Sequence, residues 1–385
     1  MAITQVRNVY NTAKFEAGIK KLDVRDIIFQ LQPDATPMFS VLGKMSKAKC
    51  VDTEFTWFED DLLGTYTQIN HAAYNAAETD LVVDTDTTGI FQVGDVLLVV
   101  STGEKMLLTA IVDATHTLTV TRAWGTTTTT NIPDDSYIYK LGSTQQEGYT
   151  TPEGLVTAKS KKYNYVQIFS KAVEFTETAN AVDVYGGNRR NYERNKKAVE
   201  MKRDIEAQFL WGEPKEDTSG THPRRQTGGI YYFLSTVAPS LDMSSAALTE
   251  SAFESLLKDV FTYSEKDRVM FTGPLINSQI SQFASGKQRM EPGSTGKYGI
   301  KITTYHSANG DVDIAVDRTF IGPHSGKALI IEPSQMVYRY LQGFDFKLAM
   351  NVEPPNVHKS LDEYSATIGL EFHQAKLHGI IKNVV

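Results

Sequence analysis

The longest uninterrupted periodic stretch of the chain, Asn188 to Trp211 (NRRNYERNKKAVEMKRDIEAQFLW), sets Ala198, Met201, Ile205 and Phe209 at helical spacing on one face. It follows Gly186-Gly187, opens on an Asn able to cap a helix, contains no Gly or Pro, and stops at Gly212 with Pro214 beyond. At 1.5 Å per residue this predicts a rod roughly 35 Å long, well above the average globular helix of about 11 to 12 residues. The apolar stripe is narrow. Charged residues cover much of the remainder, among them Arg189, Arg190, Arg194, Lys196, Lys197, Lys202 and Arg203 against Glu193, Glu200, Asp204 and Glu206. Such a helix suits a strut braced along one edge better than a core helix buried all round.

Elsewhere the pattern alternates. From Cys50 to Phe58 (CVDTEFTWF), Val51, Thr53, Phe55 and Trp57 share one side, with Glu54, Thr56 and Phe58 on the other. A matching strand, Lys162 to Ser170 (KYNYVQIFS), puts Tyr163, Tyr165 and Phe169 on one face and Val166 and Ile168 on the other. Paired, these two would make an antiparallel ribbon with apolar groups on both faces. A two-stranded ribbon is marginal in water, so both faces need cover, which other copies of the chain could supply. Between them, over roughly 70–145, the chain becomes Thr-rich, acidic and lysine-poor. Short strand candidates follow one another there, Leu81 to Val83, Val96 to Val100, Met106 to Ile111, Leu118 to Arg122 and Tyr137 to Leu141, and indicate an inserted small β barrel or sandwich. The run Thr126 to Thr130 reads as an exposed loop.

Beyond the polar, Pro- and Gly-containing linker Glu213 to Gly229, Leu248 to Tyr263 is an amphipathic helix, followed by a strand at Arg268 to Thr272 and a helix from Pro274 to about Phe283. Asn309-Gly310 predicts a hairpin within Lys301 to Val316. Strands continue at Ala328 to Ile331 and Met336 to Met350. Near the end, Tyr364 to His373 alternates with Ala366, Ile368, Leu370 and Phe372 inward and Thr367, Glu371 and His373 outward. Residues 1–46 hold no long regular element, only a candidate short helix from Val24 to Leu31 before Pro33. An arm of this kind either stays mobile or lies on something else, a neighbouring subunit being the obvious surface.

Composition narrows the class. The chain has 385 residues, 41% of them hydrophobic, enough for two or three domains with real cores. A formal net charge of -7 argues against a dedicated nucleic-acid binder, although an acidic whole can carry a basic face. The single cysteine, Cys50, excludes an internal disulfide framework and suggests folding in a reducing compartment; a buried, inert thiol is its expected state despite Lys44, Lys47 and Lys49 nearby. The opening MAITQVRN has no apolar signal core, and no apolar run approaches the roughly 20 residues of a membrane span, so the chain is expected to be made in the cytoplasm without a membrane partner.

Motifs for chemistry are sparse. His373 and His378 are five apart, a poor metal spacing, and Asp311 and Asp313 read as an exposed hairpin edge. Residues 293–297 (GSTGK) lack the upstream Gly and the Ser/Thr of a phosphate loop, and 322–327 (GPHSGK) fails similarly. There is no nucleophile elbow and no zinc-protease motif. An enzyme is therefore not expected, nor any catalytic residue, metal or cofactor. The basic residues of the long helix are either its solvated side or a face for packaged nucleic acid or an acidic neighbour.

The order of parts resembles the major capsid proteins of tailed bacteriophages, the Hong Kong 97 (HK97-like) head-protein fold, in the branch with a β-rich insertion in its extended loop. The resemblance covers nearly the whole chain. Its carriers are Leu31 to Leu42 (LQPDATPMFSVL), the Phe55-Thr56-Trp57 strand, Ser334 to Arg339 (SQMVYR) and Tyr364 to His373. It implies an α+β chain with an N-terminal arm (1–46), an extended loop (47–69 and 146–170) and the inserted β domain (70–145). A peripheral domain (171–238 and 343–385) would contain the spine helix 188–211, beside an axial domain (239–342). Extended-loop contacts between subunits would involve Phe55, Trp57, Phe58, Tyr163, Tyr165 and Phe169, and DNA or neighbour contacts Arg189, Arg190 and Arg194. Implied partners are other copies in hexamers and pentamers, a portal, scaffolding or decoration proteins, and double-stranded DNA bound non-specifically within a virion shell. The long helical propeptide that the resemblance would place before the arm is not expected here, which leaves assembly guidance to a separate scaffolding protein or to nothing visible in the sequence. A cellular nanocompartment shell of the same fold and a carbohydrate- or receptor-binding module built on the Thr-rich insertion are the alternatives.

Overall fold

Strand Arg268–Thr272 has no exposed residue, and its neighbours explain why. It pairs in parallel with Asp311–Val316 and antiparallel with Ala328–Ile331, at the middle of a seven-stranded sheet. That sheet runs in the order Ser240–Ala246, Gly379–Val384, Ala328–Ile331, Arg268–Thr272, Asp311–Val316, Ile302–His306, Met290–Pro292. Alternate side chains of the central strand enter two different cores. Met270 meets Phe253, Leu256, Leu257 and Val260 of helix Glu250–Val260, and Ile276 and Ile280 of helix Pro274–Phe283, while Val269 and Phe271 enter a core shared with the long helix. Cover on both faces is why its three middle residues, Val269, Met270 and Phe271, are all apolar. The Asn309-Gly310 hairpin forms as expected, with His306 opposite Asp311.

The computed structural model describes residues 36–42, 46–85, 87–150, 154–182, 189–283, 290–292 and 302–385. They divide into a smaller unit, Phe58–Lys162, and a larger one made of the segments on either side of it. In the larger unit a second sheet is organised by the long strand Lys359–Phe372. Gln167–Thr176 and Met336–Leu341 pair antiparallel with it, as does Lys347–Ala349, and Lys47–Cys50 pairs in parallel with Met336–Leu341. The expected inward set Ala366, Ile368, Leu370 and Phe372 is buried, and so are Thr367 and Glu371 of the other face. Helix Arg189–Trp211 lies against Gln167–Thr176 and Lys359–Phe372, burying Met201, Ile205, Phe209 and Leu210. The capping Asn188 and the Gly186-Gly187 break lie outside the described residues, as do the candidate helix at Val24 to Leu31 and the segment 293–297.

Three expectations are corrected. The C-terminal region does not return to one sheet, since Gly379–Val384 crosses into the seven-stranded sheet between Ser240–Ala246 and Ala328–Ile331. Ile380 and Ile381 are adjacent and both buried, one in each core, which requires a sheet covered on both faces. Conversely, Met336–Leu341, included in the expected axial segment 239–342, belongs with the long strand. Finally, the described part of the arm lies on its own chain: Pro37–Leu42 is a short helix whose Met38 and Val41 are buried in the core under the long helix.

The smaller unit is a six-stranded sheet in the order Tyr66–Gln68, Tyr137–Ser143, Asp95–Val99, Lys105–Val112, Thr117–Thr121, Asp80–Val82. A bridge between Ile69 and Val83 joins the two ends and closes it into a barrel. The sequence points to a small β barrel or sandwich over 70–145; Tyr66–Gln68 is one of the strands here and the unit spans 58–162. Its interior holds Leu97, Val99, Met106, Leu108, Leu118, Val120 and Ile138. Arg122 and Glu104 form a buried pair at 2.7 Å. Arg122 also donates to the carbonyls of Asn75, Glu78 and Thr130, and Glu104 accepts from the amides of Ala123 and Thr130, so the pair ties the Thr126 to Thr130 loop to the barrel. Burial pushes the Glu104 carboxyl up, but the Arg122 and backbone hydrogen bonds outweigh it and hold it below its ordinary value. Glu104→Ala leaves a buried guanidinium unpaired and is expected to destabilise this unit by about 3–5 kcal/mol, read as a lowered denaturant midpoint. An unchanged midpoint would rule the pair out as its anchor.

Candidate assembly surfaces

Strands Glu54–Glu59 and Ser160–Tyr165 pair as a two-stranded ribbon. The expected continuous strand Lys162 to Ser170 breaks at Val166, after which Gln167–Thr176 joins the sheet of the long strand. At the ribbon's base Phe55 and Trp57 cluster with Cys50 and Val166. The Trp57 ring lies 5.8 Å edge-on from Phe233 and 6.0 Å from His373. Gly369 makes room for this packing, since a Cβ there would fall 2.7 Å from Phe55 and 2.8 Å from the Tyr165 carbonyl. Phe169 is buried in the core under the long helix. These placements correct the expectation that Phe55, Trp57 and Phe169 meet other subunits: Phe233 and the strand around Gly369, distant in sequence, already cover the first two, and the core under the long helix covers the third. Tyr165 is half-buried and stands 5.7 Å from Tyr163 in a T-shaped pair. Tyr163 and Phe58 remain exposed.

Other large apolar side chains stand in solvent. In the smaller unit Leu62 is 98% and Val156 90% exposed; in the larger, Val51 is 87% and Ile168 75% exposed. No described residue of either unit covers them.

The basic residues at the start of the long helix divide. Arg190 grips Asp362 through two bonds of 2.7 Å, and Arg194 donates to the same carboxylate at 2.7 Å. Asp362 has no exposed surface and also accepts from the Asn351 amide at 3.1 Å. Burial pushes this carboxyl up, but the hydrogen bonds from Arg190, Arg194 and Asn351 prevail and hold it well below the usual carboxylate range. Arg190 and Arg194 are therefore committed within the chain, which corrects their assignment to DNA or a neighbour. Arg189 alone of the three stays at the surface, 3.7 Å from Glu193. The signal was present in the sequence, because Arg190 and Arg194 continue the Ala198, Met201, Ile205 and Phe209 stripe at helical spacing and so point to a buried acid.

The remaining candidates resolve as structural. Cys50 is buried, and burial raises its thiol above the ordinary value. His378 is fully buried, accepts from the Glu332 amide and donates to the His373 carbonyl; burial lowers its imidazole to about 4. Asp313, expected at an exposed edge, is buried and accepts from Thr304 at 2.7 Å, while Asp311 meets His306 at 2.8 Å. Among the described residues no group of three or more His, Cys, Asp and Glu is arranged to hold a metal ion, and no helix is long and apolar enough to cross a membrane.

A family model described as the SU10 major capsid protein matches residues 3–385. The chain belongs to that family. It is a subunit of a virion shell, and the surfaces above are those of a protein that assembles with its own copies. No curated protein matches it. Among solved structures it is similar to a protein of Mycobacterium phage Bobi, at 6% identity and a TM-score of 0.49, covering 95% of this chain and 96% of that one. It is similar to the capsid of a native GTA particle at 8% identity and 0.49, covering 97% and 98%. It is similar as well to the SrpI encapsulin of Synechococcus elongatus PCC 7942 at 12% and 0.43, covering 59% and 78%.

Two outcomes separate the capsid protein's interior residues from its surface. Trp57→Ala is expected to cost the subunit about 3–5 kcal/mol in equilibrium unfolding, whereas Phe58→Ser and Tyr163→Ser should each stay within about 0.5 kcal/mol. Asp362→Ala, which strands two guanidiniums, should cost about 3–5 kcal/mol and Arg189→Ala about 0.5 or less; equal losses would contradict the division of the arginines.

Proposed function

We propose that this capsid protein closes into hexamers and pentamers that build the icosahedral head of a tailed bacteriophage around double-stranded DNA. The observation that carries the reading is the set of apolar side chains left in water, Leu62 and Val156 in the smaller unit and Val51 and Ile168 in the larger. Burying one such side chain contributes about 1.5–3 kcal/mol, so four on each of many identical subunits make a substantial driving force for association. Placed on different parts of one chain, they suit heterologous contacts, which generate closed rings from identical subunits.

In this reading the sheet of Lys359–Phe372 with the long helix is the peripheral part, and the seven-stranded sheet with its two helices is the axial part. The ribbon Glu54–Glu59 and Ser160–Tyr165 belongs to the extended loop, with Phe58, Tyr163 and the exposed half of Tyr165 as its contacts to a neighbour. Packaged DNA is met through sequence-blind charge, for which Arg189 is available at the helix start. A portal, a scaffolding protein and decoration proteins complete the set of partners.

Purified chain is expected to form capsomers or shells under negative stain, and co-expression with packaging functions to yield particles that hold nuclease-protected DNA. Ile168→Asp and Val156→Asp should leave a folded subunit that no longer assembles. Wild-type protein that stayed a dispersed monomer under all conditions, or shells filled with an enzyme cargo instead of DNA, would overturn the proposal.

A further inference from the structure

Two carboxyl groups meet in the interior of the larger unit, and neither forms an ion pair among the described residues. Glu206 is on the long helix and Asp317 follows strand Asp311–Val316; both have no exposed surface. One oxygen of each is satisfied. Glu206 Oε1 accepts the Met38 amide at 2.6 Å, and Asp317 Oδ1 accepts the amide and the hydroxyl of Thr319 at 2.8 and 2.7 Å. The other two oxygens, Glu206 Oε2 and Asp317 Oδ2, are buried and receive no hydrogen bond from any other described residue. Two ionised carboxylates cannot donate to each other, but one proton on Glu206, donated to Asp317, satisfies both at once.

Among the described residues no cation does the same work. From the short helix Pro37–Leu42 the pair faces the amides of Met38 and Phe39, and from the loop after Val316 it faces Thr319. On the long helix itself, Lys202 turns to the Phe39 ring, 5.8 Å away, and Arg203 is exposed.

We propose that this shared proton is a latch that holds the Pro37–Leu42 segment on the long helix, so that losing the proton loosens the segment. Glu206 accepts the Met38 amide, and Met38 and Val41 are the segment's buried anchors. With both carboxyls charged, like charges would face each other in a medium that screens them poorly, directly beneath that helix. Burial first, and the Asp317 charge second, push Glu206 up to about 9; burial also raises Asp317. A raised carboxyl stabilises the attached form fully below its ordinary value of 4.5, and this contribution is lost as pH climbs toward about 9. Docking of the segment is thus set by a proton at neutral pH, where an ion pair would have made it insensitive.

Chymotryptic cleavage after Phe39 of the full-length, unassembled protein reads the latch, with rates normalised at each pH to an unstructured peptide. In the wild type, cleavage should rise roughly tenfold per pH unit between pH 6 and pH 9. Glu206→Gln, a neutral mimic of the protonated form, should flatten that rise and be cut more slowly than wild type at pH 9, a gain that simple loss of packing would not produce. Asp317→Asn should also reduce the slope. A flat wild-type profile, or a full slope retained in either folded variant, would overturn the latch while leaving the shell reading untouched.

Discussion

The buried negative charge of Asp362 decides how the long helix meets the long strand. Removing a carboxylate from water costs several kcal/mol unless matched by well-placed donors, so Lys359–Phe372 is stable here only where two guanidiniums reach it. Arg190 and Arg194 are one turn apart on the same side of the helix and meet that need together. Their grip sets the helix's rotation, and Met201, Ile205 and Phe209, further along the same side, then enter the core shared by both sheets. Packing along one narrow edge is enough because the far end of that edge is held electrostatically.

The same seam carries a second buried acid handled in the opposite way. Asp362 stays ionised because cations surround it; Glu206, three turns beyond Arg194, shares a proton with Asp317, with no cation among the described residues paired to either. Their responses to pH oppose each other. Stability from Asp362 is lost as acid protonates it below the usual carboxylate range, and stability from Glu206 fades as alkali removes its proton. The helix is therefore held best between the two limits, with the Pro37–Leu42 segment attached at its proton-dependent end.

Much of the local structure was legible from residues alone. The stop at Gly212, the Asn309-Gly310 hairpin, the helices around Phe253 and Ile276 and the barrel strands all formed where periodicity and turn chemistry put them. The family resemblance was also legible, carried by the order of elements. The assembly contacts were less so. Phe55, Trp57 and Phe169 alternate just as residues facing a neighbour would, yet Phe233 and the strand around Gly369 cover two of them and the core under the long helix takes the third. Of the apolar groups in solvent, Val51 and Ile168 lie on the alternating faces that the sequence shows to need cover, whereas Leu62 and Val156 are isolated aliphatics in short segments, which give no period.

By itself the sequence determined which residues share a face, because side-chain periods of 3.6 and 2 follow from backbone geometry alone. What covers each face was decided only in the tertiary structure, by partners far along the chain. Ile380 and Ile381 needed two covered faces, which drew the C-terminal strand into the seven-stranded sheet, and Met336–Leu341 found its place beside Lys359–Phe372 by pairing rather than by pattern. The charged half of the helix stripe shows the same division. Spacing put Arg190 and Arg194 on the buried side, but only the fold brought Asp362 to them, since an ion pair between residues so far apart has no local trace in the chain.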